Sequence, residues 1–489
     1  NAINVLTEVI NDAKDTVDHD LAIIDVSRPD LPAVERYIGN VGTTLTGLAF
    51  DAQRSRIVVL NMEAINTTRL TPNLRGHFID HQVVFVDDYL NPAPLITAVD
   101  LHDDSFNDVT SANAAAQAIS LANPVDVLLS PDGQSLFVAA LGTGRVGVLD
   151  PDTGSVRARV DVGRGTRALA IDAVNRRLFS LDRTDHRLTQ CGPLNAGIAV
   201  QSTTLLFNPE PPAVKRGRDF LYSTRLSSNF GSSCAMCHID GNLDHLDWDL
   251  GGPTGGMLPA PANVACAPGV DPCLPNHPVK GPMFTQSLRG LAQHNPFHWR
   301  GDKPQFADFA EAFNGLLGAP ADLASTDMAK FDAFVKTMVY PPNPYWNRDN
   351  SSKDTDAYPN GALVYIDPAK VIDNCQGCHE LQHDGALQLA GSDGGFDLSG
   401  ILDQIQEVPQ LRGLYKKTPS ARLTGFGLMH DGRIEPFDSP ANQPDALAQF
   451  LRTFFLFPAD QMAGTSQNFT ELKAFLQACL LYTSDAADE

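Results

Sequence analysis

The chain has 489 residues, of which 36 are Lys or Arg and 58 are Asp or Glu, so its formal net charge is −22. Hydrophobic residues make up 43% of the chain, which excludes an intrinsically disordered protein. The acidic balance argues against nucleic-acid binding, because phosphate contacts need a basic face. No apolar run approaches the roughly 18 residues of a membrane span, so the sequence predicts no transmembrane segment.

A repeated strand pattern occupies the first part of the chain. In each copy a short apolar strand is followed by a turn and a second apolar strand, at Gly47–Asp51 with Arg56–Leu60, Asp126–Ser130 with Ser135–Ala139, and Ala168–Asp172 with Arg177–Leu181. A period of about 40 residues with four short strands is typical of a β-propeller blade. Insertions at residues 66–80 and 103–121 explain the longer first interval. An irregular β-sandwich is the alternative.

Leu21–Asp25 resembles the third strand of an earlier blade. Propellers usually close with about four to eight blades, and the pattern provides only three to four. We therefore expect the propeller to be partial here, with further blades upstream of Asn1.

A helix is predicted to begin at Pro211 and Pro212, since Pro is favourable in the first helical turn. Its apolar face carries Val214, Gly217, Phe220 and Leu221. A small residue and an aromatic residue on one face suit a close crossing with a second helix. Two later segments have apolar helical faces that fit the partner role, residues 325–340 and 444–457.

Two copies of the pattern C-x-x-C-H carry the strongest chemical signal, Cys234-Ala-Met-Cys237-His238 and Cys375-Gln-Gly-Cys378-His379. Two thiols three positions apart on one turn can each form a thioether with a haem vinyl group. The His that follows then lies under the iron as its proximal ligand. The motifs predict two covalently bound haem c groups, with His238 and His379 as iron ligands.

A redox C-x-x-C pair and a zinc site are the competing interpretations. A thioredoxin-like motif needs a βαβ setting, which is absent from the pattern here. A zinc site could use both Cys pairs with the histidines, but a zinc ribbon needs no His directly after each second Cys.

Haem c is attached outside the cytoplasm, in compartments that permit disulfides. We therefore expect a periplasmic or secreted protein. Cys266 and Cys273 lie in a Pro- and Gly-rich stretch, residues 251–282, where a disulfide closing the loop is expected. Cys191 is predicted to be a buried thiol.

From about residue 208 onward the chain resembles the di-haem cytochrome c peroxidase family, which includes the methylamine-utilisation di-haem enzymes. The two C-x-x-C-H motifs are separated by 141 residues. Each is followed by Leu-Arg-Gly-Leu and then by a His-rich or Trp-rich turn, at residues 288–291 with 294–302 and at residues 411–414 with 427–433. The strand repeats resemble YVTN-type propeller repeats.

These resemblances imply a multidomain chain. Its parts are a partial all-β propeller, two mainly α-helical cytochrome c-like haem domains, and a short tail, at residues 1–207, 208–345, 346–478 and 479–489. The last eleven residues read CLLYTSDAADE, which resembles a translated sequencing adaptor. We expect Cys479 and this tail to be artefactual, with a natural frayed tail as the alternative, and the chain to be a piece of a longer protein.

In the peroxidase family the N-terminal haem reduces hydrogen peroxide and the C-terminal haem receives electrons. The resemblance therefore assigns peroxide reduction to the haem of Cys234, Cys237 and His238. A tryptophan between the haems passes electrons, and Trp299 matches it by motif. His298 is the candidate that ligates or flanks the distal side of the first haem.

Arg289 and Arg412 occupy equivalent places in the two halves. Because Arg binds carboxylates with a two-point fork, they are candidates for haem propionate binding, with surface salt bridges as the alternative. The family also carries calcium between its haem domains, so the resemblance admits a calcium ion whose ligands the sequence does not assign.

The chain departs from the family pattern in three places. Trp299 lies 61 residues after His238, farther than in the short peroxidases, and the insertion with the two loop cysteines explains the difference. No Met follows His430 at the expected distance, so Met429 is the candidate axial ligand, with a core methionine as the alternative. The acid–base glutamate has no clear counterpart, and Glu311 is more typical of an exposed helix residue.

Three functions are compatible with this pattern. The first is an oxidoreductase that reduces hydrogen peroxide or carries out a related peroxidase-like oxidation. The second is a non-catalytic di-haem electron-transfer protein. The third is a propeller-based binding protein whose ligand is unknown and whose haems serve signalling. The acidic charge favours a basic electron-donor protein as partner.

Overall fold

The computed structural model describes most of the chain up to residue 347 and shorter stretches beyond it. The described residues are 19–28, 30–102, 112–257, 277–293, 296–347, 353, 355, 357–366, 381–383, 387–389, 395–396, 406–407, 411, 414, 430 and 467–478. The chain divides into two compact units, one made of residues 1–240 and 309–334 and the other of residues 241–308 and 335–489. The predicted domain boundaries at residues 207, 345 and 478 stay predictions.

Three four-stranded antiparallel sheets follow one another in the first unit, and in each the strands pair in chain order. A two-stranded hairpin precedes them, β1 (Leu21–Asp25) with β2 (Ala33–Ile38). The sheets contain β3 (Thr44–Asp51), β4 (Arg56–Ala64), β5 (Ile79–Asp87) and β6 (Leu95–Asp100); β7 (Pro124–Leu129), β8 (Leu136–Ala140), β9 (Arg145–Leu149) and β10 (Val156–Asp161); and β11 (Thr166–Asp172), β12 (Arg177–Asp182), β13 (Arg187–Gly192) and β14 (Ala199–Leu205).

This repetition of one meander is propeller-like and confirms the prediction of a β-rich repeat. The strand pairs predicted at the start of each copy form the first two strands of each sheet. The long first interval is one sheet with insertions, as expected, and short helices lie in them, α1 (Thr71–Leu74) and α2 (Ala114–Ile119).

Neighbouring sheets pack face to face through alternating side chains. Leu60 and Phe85 of the first sheet meet Val138 of the second in one buried cluster. Phe137, on the opposite face of β8, joins Cys191 of the third sheet in another. The middle sheet is thus covered on both faces, which explains why every residue of β8 and β9 is buried.

The prediction that Cys191 is a buried thiol is confirmed, because none of its surface is exposed. Burial, reinforced by the charge of Asp182, raises the pKa of this thiol to about 11. The side chain therefore acts as a small apolar group within the sheet contact.

Among the described residues up to 347, three α-helices follow the sheets, namely α3 (Pro212–Tyr222), α4 (Ala310–Gly315) and α5 (Ser325–Val335). The predicted start of α3 at the Pro pair is confirmed. Helix α5 ends five residues before the predicted Tyr340, because the Met338 amide donates to the Val335 carbonyl in a closing turn. None of the described helices is long and apolar enough to cross a bilayer.

Helices α3 and α5 cross at Gly217. A Cβ atom there would overlap the Lys330 carbonyl oxygen and would lie 2.6 Å from Cβ of Phe334. The rings of Phe220 and Phe331 pack beside this point, with centroids 6.2 Å apart. Only glycine admits so close a backbone approach, so the predicted role of Gly217 is confirmed.

A second pair crosses in the same way in the second unit. Helices α6 (Ala357–Ile366) and α7 (Gln467–Ala478) meet at Gly361, whose added Cβ would overlap the Glu471 carbonyl oxygen and lie 2.6 Å from Cβ of Phe475. The second segment predicted as a crossing partner lies outside the described residues, at 444–457. Sequence reasoning missed α7, although its apolar residues Leu472, Phe475 and Leu476 have helical spacing.

The remaining described strands form short two-stranded sheets in the second unit. They are β15 (Asp247–Trp248) with β16 (Met283–Phe284), β17 (Leu381–His383) with β18 (Leu387–Leu389), and β19 (Gly395–Phe396) with β20 (Gln406–Glu407). The first of these positions several of the predicted site residues.

Candidate functional site

The first C-x-x-C-H motif forms a tight turn. Residues Cys234–Met236 are a 3₁₀ helix, and the His238 amide donates to the Cys234 carbonyl at 3.0 Å. This helical turn places the two thiols three positions apart, with His238 next in the chain. Burial raises the pKa of the Cys234 thiol to about 11, so the group is protonated at neutral pH.

The segment that leads into this motif is bonded to the loops of the sheets. Its backbone atoms and the Ser232 hydroxyl bond to side chains and backbone in the loops and insertions of the first two sheets. The hydrogen bonds are Thr224 N to Gly142 O at 3.0 Å, Gln117 Nε2 to Ser228 O at 2.7 Å, Ser120 Oγ to Phe230 O at 2.7 Å, and Ser232 Oγ to Gly76 O at 3.0 Å. These hydrogen bonds thus fix the segment that precedes the motif against the loops of the sheets.

Two histidines lie beside this segment, His81 buried and His102 half-buried. Nε2 of His81 is 2.8 Å from the Gly231 carbonyl, and its Nδ1 accepts from the Asn123 amide at 3.4 Å. This pattern defines a neutral ring with its proton on Nε2. The His102 ring lies 5.5 Å from the His81 ring, and its buried Nε2 has no hydrogen-bond partner among the described residues.

Burial lowers the pKa of His81 to about 4. Burial and the nearby His81 lower the pKa of His102 to about 3. A cavity of about 20 Å³ lies next to His102 and Asn229, with room for about one water molecule. No sequence motif indicated these histidines, because their positions do not match the spacing of known ligand motifs.

Ion pairs anchor the elements on either side of the motif to the third sheet. Asp240, two residues after His238, forms a two-point fork with Arg167 of β11 at 3.0 Å for both bonds. In α3, Asp219 pairs with Arg164 at 2.9 Å and also with Arg216. The buried Asp219 lies two positions after Gly217 and therefore on the side of the helix opposite the predicted apolar face.

In the second unit, Trp299 is buried and its Nε1 donates to the Phe284 carbonyl at 2.6 Å. The amide of Phe284 donates to the His430 carbonyl at 2.7 Å. One residue of β16, Phe284, therefore accepts from Trp299 through its carbonyl and donates to His430 through its amide. The structure thus brings together one residue from each of the two segments that follow the repeated Leu-Arg-Gly-Leu sequences, whereas the sequence only showed that the segments were alike.

His298 belongs to a partly buried polar cluster in which its own side chain is 35% exposed. Its Nδ1 lies 2.7 Å from Oδ1 of Asp302, and Nη2 of Arg300 lies 3.4 Å from the other carboxylate oxygen. Burial lowers the pKa of His298, with further lowering from the nearby Lys280. Burial opposes ionisation of Asp302, but the His298 hydrogen bond and the Lys280 and Arg300 charges hold its pKa well below the usual range.

Asp302 therefore does more than close a turn, because it orients the His298 ring. A carboxylate can only accept, so Nδ1 of His298 carries the proton and Nε2 is the basic nitrogen. A carboxylate behind a histidine is the arrangement that orients metal-bound or acid–base imidazoles.

The other predicted site residues fall into two groups. Arg289 donates from Nη1 to the Val339 carbonyl at 2.9 Å, and its propionate role stays a prediction. Outside the described residues lie Cys375, Cys378, His379, Arg412 and Met429, together with the predicted disulfide partners Cys266 and Cys273.

The side chains of the first C-x-x-C-H motif have the chemistry that covalent haem attachment requires. The first motif presents its two cysteines on one helical turn with His238 adjoining. Separately, in the second unit, the guanidinium of Arg300 is buried and its Nε has no hydrogen-bond partner among the described residues. Within the described ranges, no three His, Cys, Asp or Glu side chains converge as a metal site.

No family model matches the sequence, and no curated protein matches it. Among solved structures, one chain of Kuenenia stuttgartiensis hydrazine synthase aligns with 16% identity and a TM-score of 0.34, over 55% of this chain and 88% of that chain. Virginiamycin B lyase from Staphylococcus aureus aligns with 12% identity and a TM-score of 0.23, over 35% of this chain and 43% of that one.

A putative 6-phosphogluconolactonase from Bacteroides fragilis aligns with 13% identity and a TM-score of 0.25, over 37% of this chain and 48% of that one. A further hydrazine synthase chain from Kuenenia stuttgartiensis is matched over 47% of its length, with a TM-score of 0.27. Likenesses this distant carry no argument about function.

Proposed function

We propose that the chain is a di-haem c-type redox protein that reduces hydrogen peroxide to water or carries out a related peroxidase-like oxidation. The repeated helix crossing is the observation that supports this most directly. In each half a Gly-bearing helix precedes the C-x-x-C-H motif and its partner helix follows the motif. The partner residues Phe334 and Phe475 are 141 residues apart, the separation of Cys234 and Cys375.

This shared order and spacing point to one duplicated structural unit built around each motif. A redox dithiol or a zinc ribbon requires no such helix pair. The proposal assigns the two thioether bonds of the first haem to Cys234 and Cys237 and its proximal ligation to His238. The corresponding roles in the second half fall to Cys375, Cys378 and His379.

When bound, haem c supplies one-electron redox chemistry and cleavage of the peroxide O–O bond. The chain itself supplies the proton transfer. Burial lowers the pKa of His298, against the opposing effect of its hydrogen bond with Asp302. Nε2 would accept a proton from peroxide and return it to the leaving hydroxide. Asp302 holds the ring in the tautomer that this step needs.

Electrons would enter at the second haem and move toward the first. Hydrogen bonds join Trp299 to the carbonyl of Phe284 and His430 to its amide. That arrangement supports Trp299 as part of the electron path. The acidic chain would attract a basic donor protein by electrostatic steering.

Haem content tests the proposal. We expect the chain, expressed in a host that attaches haem c, to carry two haems by pyridine haemochrome assay and intact mass. The double variant Cys234→Ala with Cys237→Ala should carry one, as should Cys375→Ala with Cys378→Ala, whereas the control Cys191→Ala should keep two. Absence of covalent haem from the parent chain would overturn the proposal.

Spectroscopy then separates peroxide reduction from electron transfer alone. In the half-reduced protein we expect one haem to be high-spin by EPR and to react with hydrogen peroxide. Replacement of His298 by Gln should slow that reaction by about 100-fold, the range for loss of general acid–base catalysis. Two low-spin haems that do not react with peroxide would instead make the protein an electron carrier.

A further inference from the structure

Trp248 lies in β15 and Trp299 contacts β16, and their indole N–H groups donate to chemically different partners. Nε1 of Trp248 donates to Oδ2 of Asp244 at 2.8 Å, and both side chains are buried, with 4% and 8% of their surface exposed. Nε1 of Trp299 donates to a backbone carbonyl. Oδ1 of Asp244 accepts from the Leu246 amide at 3.0 Å, so the carboxylate is held in a defined orientation.

This difference matters when an indole is oxidised. Loss of one electron makes the indole N–H strongly acidic, so a base on Nε1 lowers the free energy of oxidation by taking the proton. The Asp244 carboxylate can accept that proton, whereas a peptide carbonyl cannot. Burial raises the pKa of Asp244, which makes it a better proton acceptor than an exposed aspartate.

We propose that Trp248 is a redox-active residue that stores one oxidising equivalent as a neutral radical, with Asp244 as its proton acceptor. One electron leaves the indole for a strong one-electron oxidant, the Nε1–H bond breaks, and an O–H bond forms on Asp244. Re-reduction by a one-electron donor returns the proton to Nε1. Hydrogen peroxide is the source of the oxidant in the protein, and to that extent the inference rests on the proposed function.

A photochemical experiment tests the tryptophan without haem chemistry. Flash-generated ruthenium(III) tris-bipyridine serves as the oxidant for the full-length chain, and transient absorption with EPR on ring-deuterated tryptophan identifies the radical. We expect a neutral tryptophan radical whose formation slows in D₂O. The signal should be lost in Trp248→Phe and kept in the matched control Trp299→Phe.

Asp244→Asn tests the proton acceptor. Asn keeps the shape and one oxygen that can accept from Nε1, at the loss of the hydrogen bond from the Leu246 amide, and circular dichroism checks that the variant folds. We expect the neutral radical to be replaced by a short-lived protonated one, with no effect of D₂O on its formation. A neutral radical that persists unchanged in Asp244→Asn, or one that persists in Trp248→Phe, would overturn the inference.

A second experiment uses the haem-loaded protein and hydrogen peroxide, followed by freeze-quench EPR. A Trp248-dependent radical here supports both proposals. Absence of haem overturns the proposed function and leaves the photochemical result standing. Haem that consumes peroxide without any Trp248 radical would show that the Asp244 hydrogen bond is structural only.

Discussion

The two helix crossings are alike in their apolar contact and different in their polar surroundings. Both place a glycine against a carbonyl and an aromatic ring beside it, with Phe220 against Phe331 in the first and Tyr365 against Phe475 in the second. Around the first, the buried Asp219 forms ion pairs that reach the third sheet. Around the second, the buried Glu471 accepts from the side-chain amides of Asn360 and Gln467.

The difference shows which features of the duplicated helix pair are repeated. The glycine contact depends on backbone approach and is reproduced in both halves. The polar groups depend on what lies next to each helix. Among the described residues, Asp219 at the first crossing is paired with the arginines Arg164 and Arg216, whereas Glu471 at the second accepts from side-chain amides.

Truncating an aromatic ring at each crossing should have the largest effect. We expect Phe331→Ala and Phe475→Ala each to lower the free energy of unfolding by about 4 kcal/mol, because a buried ring leaves a cavity. Urea denaturation with hydrogen–deuterium exchange would localise the loss to α3 and α5 or to α6 and α7. If only one of the two substitutions lowered the free energy of unfolding, the two crossings would not be equivalent.

Adding a methyl group to either crossing glycine should cost about 3 kcal/mol, because the backbones would have to separate. The variants are Gly217→Ala and Gly361→Ala, measured by urea denaturation. Gly315→Ala is the matched control, since an added Cβ there meets nothing within 4 Å. We expect the control to gain up to about 1 kcal/mol through helix propensity. Tolerance of alanine at both crossings would contradict the close contact.

Acid should weaken the unit that contains the first crossing. The unfolded chain binds a proton at His81 with a pKa near 6.5, and the folded chain only at about 4. The free energy of unfolding should therefore fall as the pH drops from about 6.5 to about 4, by on the order of 3 kcal/mol for His81. His102 adds a further loss down to about pH 3.

Denaturation midpoints from circular dichroism at several pH values would measure this loss. His102→Phe should reduce it, because one buried titrating group is removed, whereas the exposed His19→Gln should leave it unchanged. An acid response that is the same in His102→Phe as in the parent chain would argue against the buried neutral ring.

Substitutions of the two buried carboxylates, Asp219 and Glu471, should change the free energy of unfolding least. They should also distinguish the two crossings from each other. Asp219→Asn removes the charge that Arg164 and Arg216 share and should cost about 1 kcal/mol, since both arginines are partly exposed. Glu471→Gln keeps an accepting oxygen and should change stability by less than about 0.5 kcal/mol. Equal costs in urea denaturation would show that the second crossing also depends on charge.

Sequence reasoning predicted most of what depends on local pattern. The strand repeats, the start of α3 and the role of Gly217 follow from periodicity and from proline and glycine chemistry. Helix α7 carried the same kind of signal and was missed because residues 444–457 offered a more strongly apolar face. The Asp219 carboxylate was not anticipated, because its partner Arg164 lies 55 residues away.

The sequence by itself determined the strand repeat, the two C-x-x-C-H motifs and the helical face of α3, because each needs only residues close together in the chain. Tertiary structure alone decided the neutral state of His81 and the hydrogen bonds by which Phe284 joins Trp299 and His430. Burial removes water from these groups, and their partners arrive from distant elements. The properties of such groups are set by desolvation and contact, and neither is encoded in local spacing.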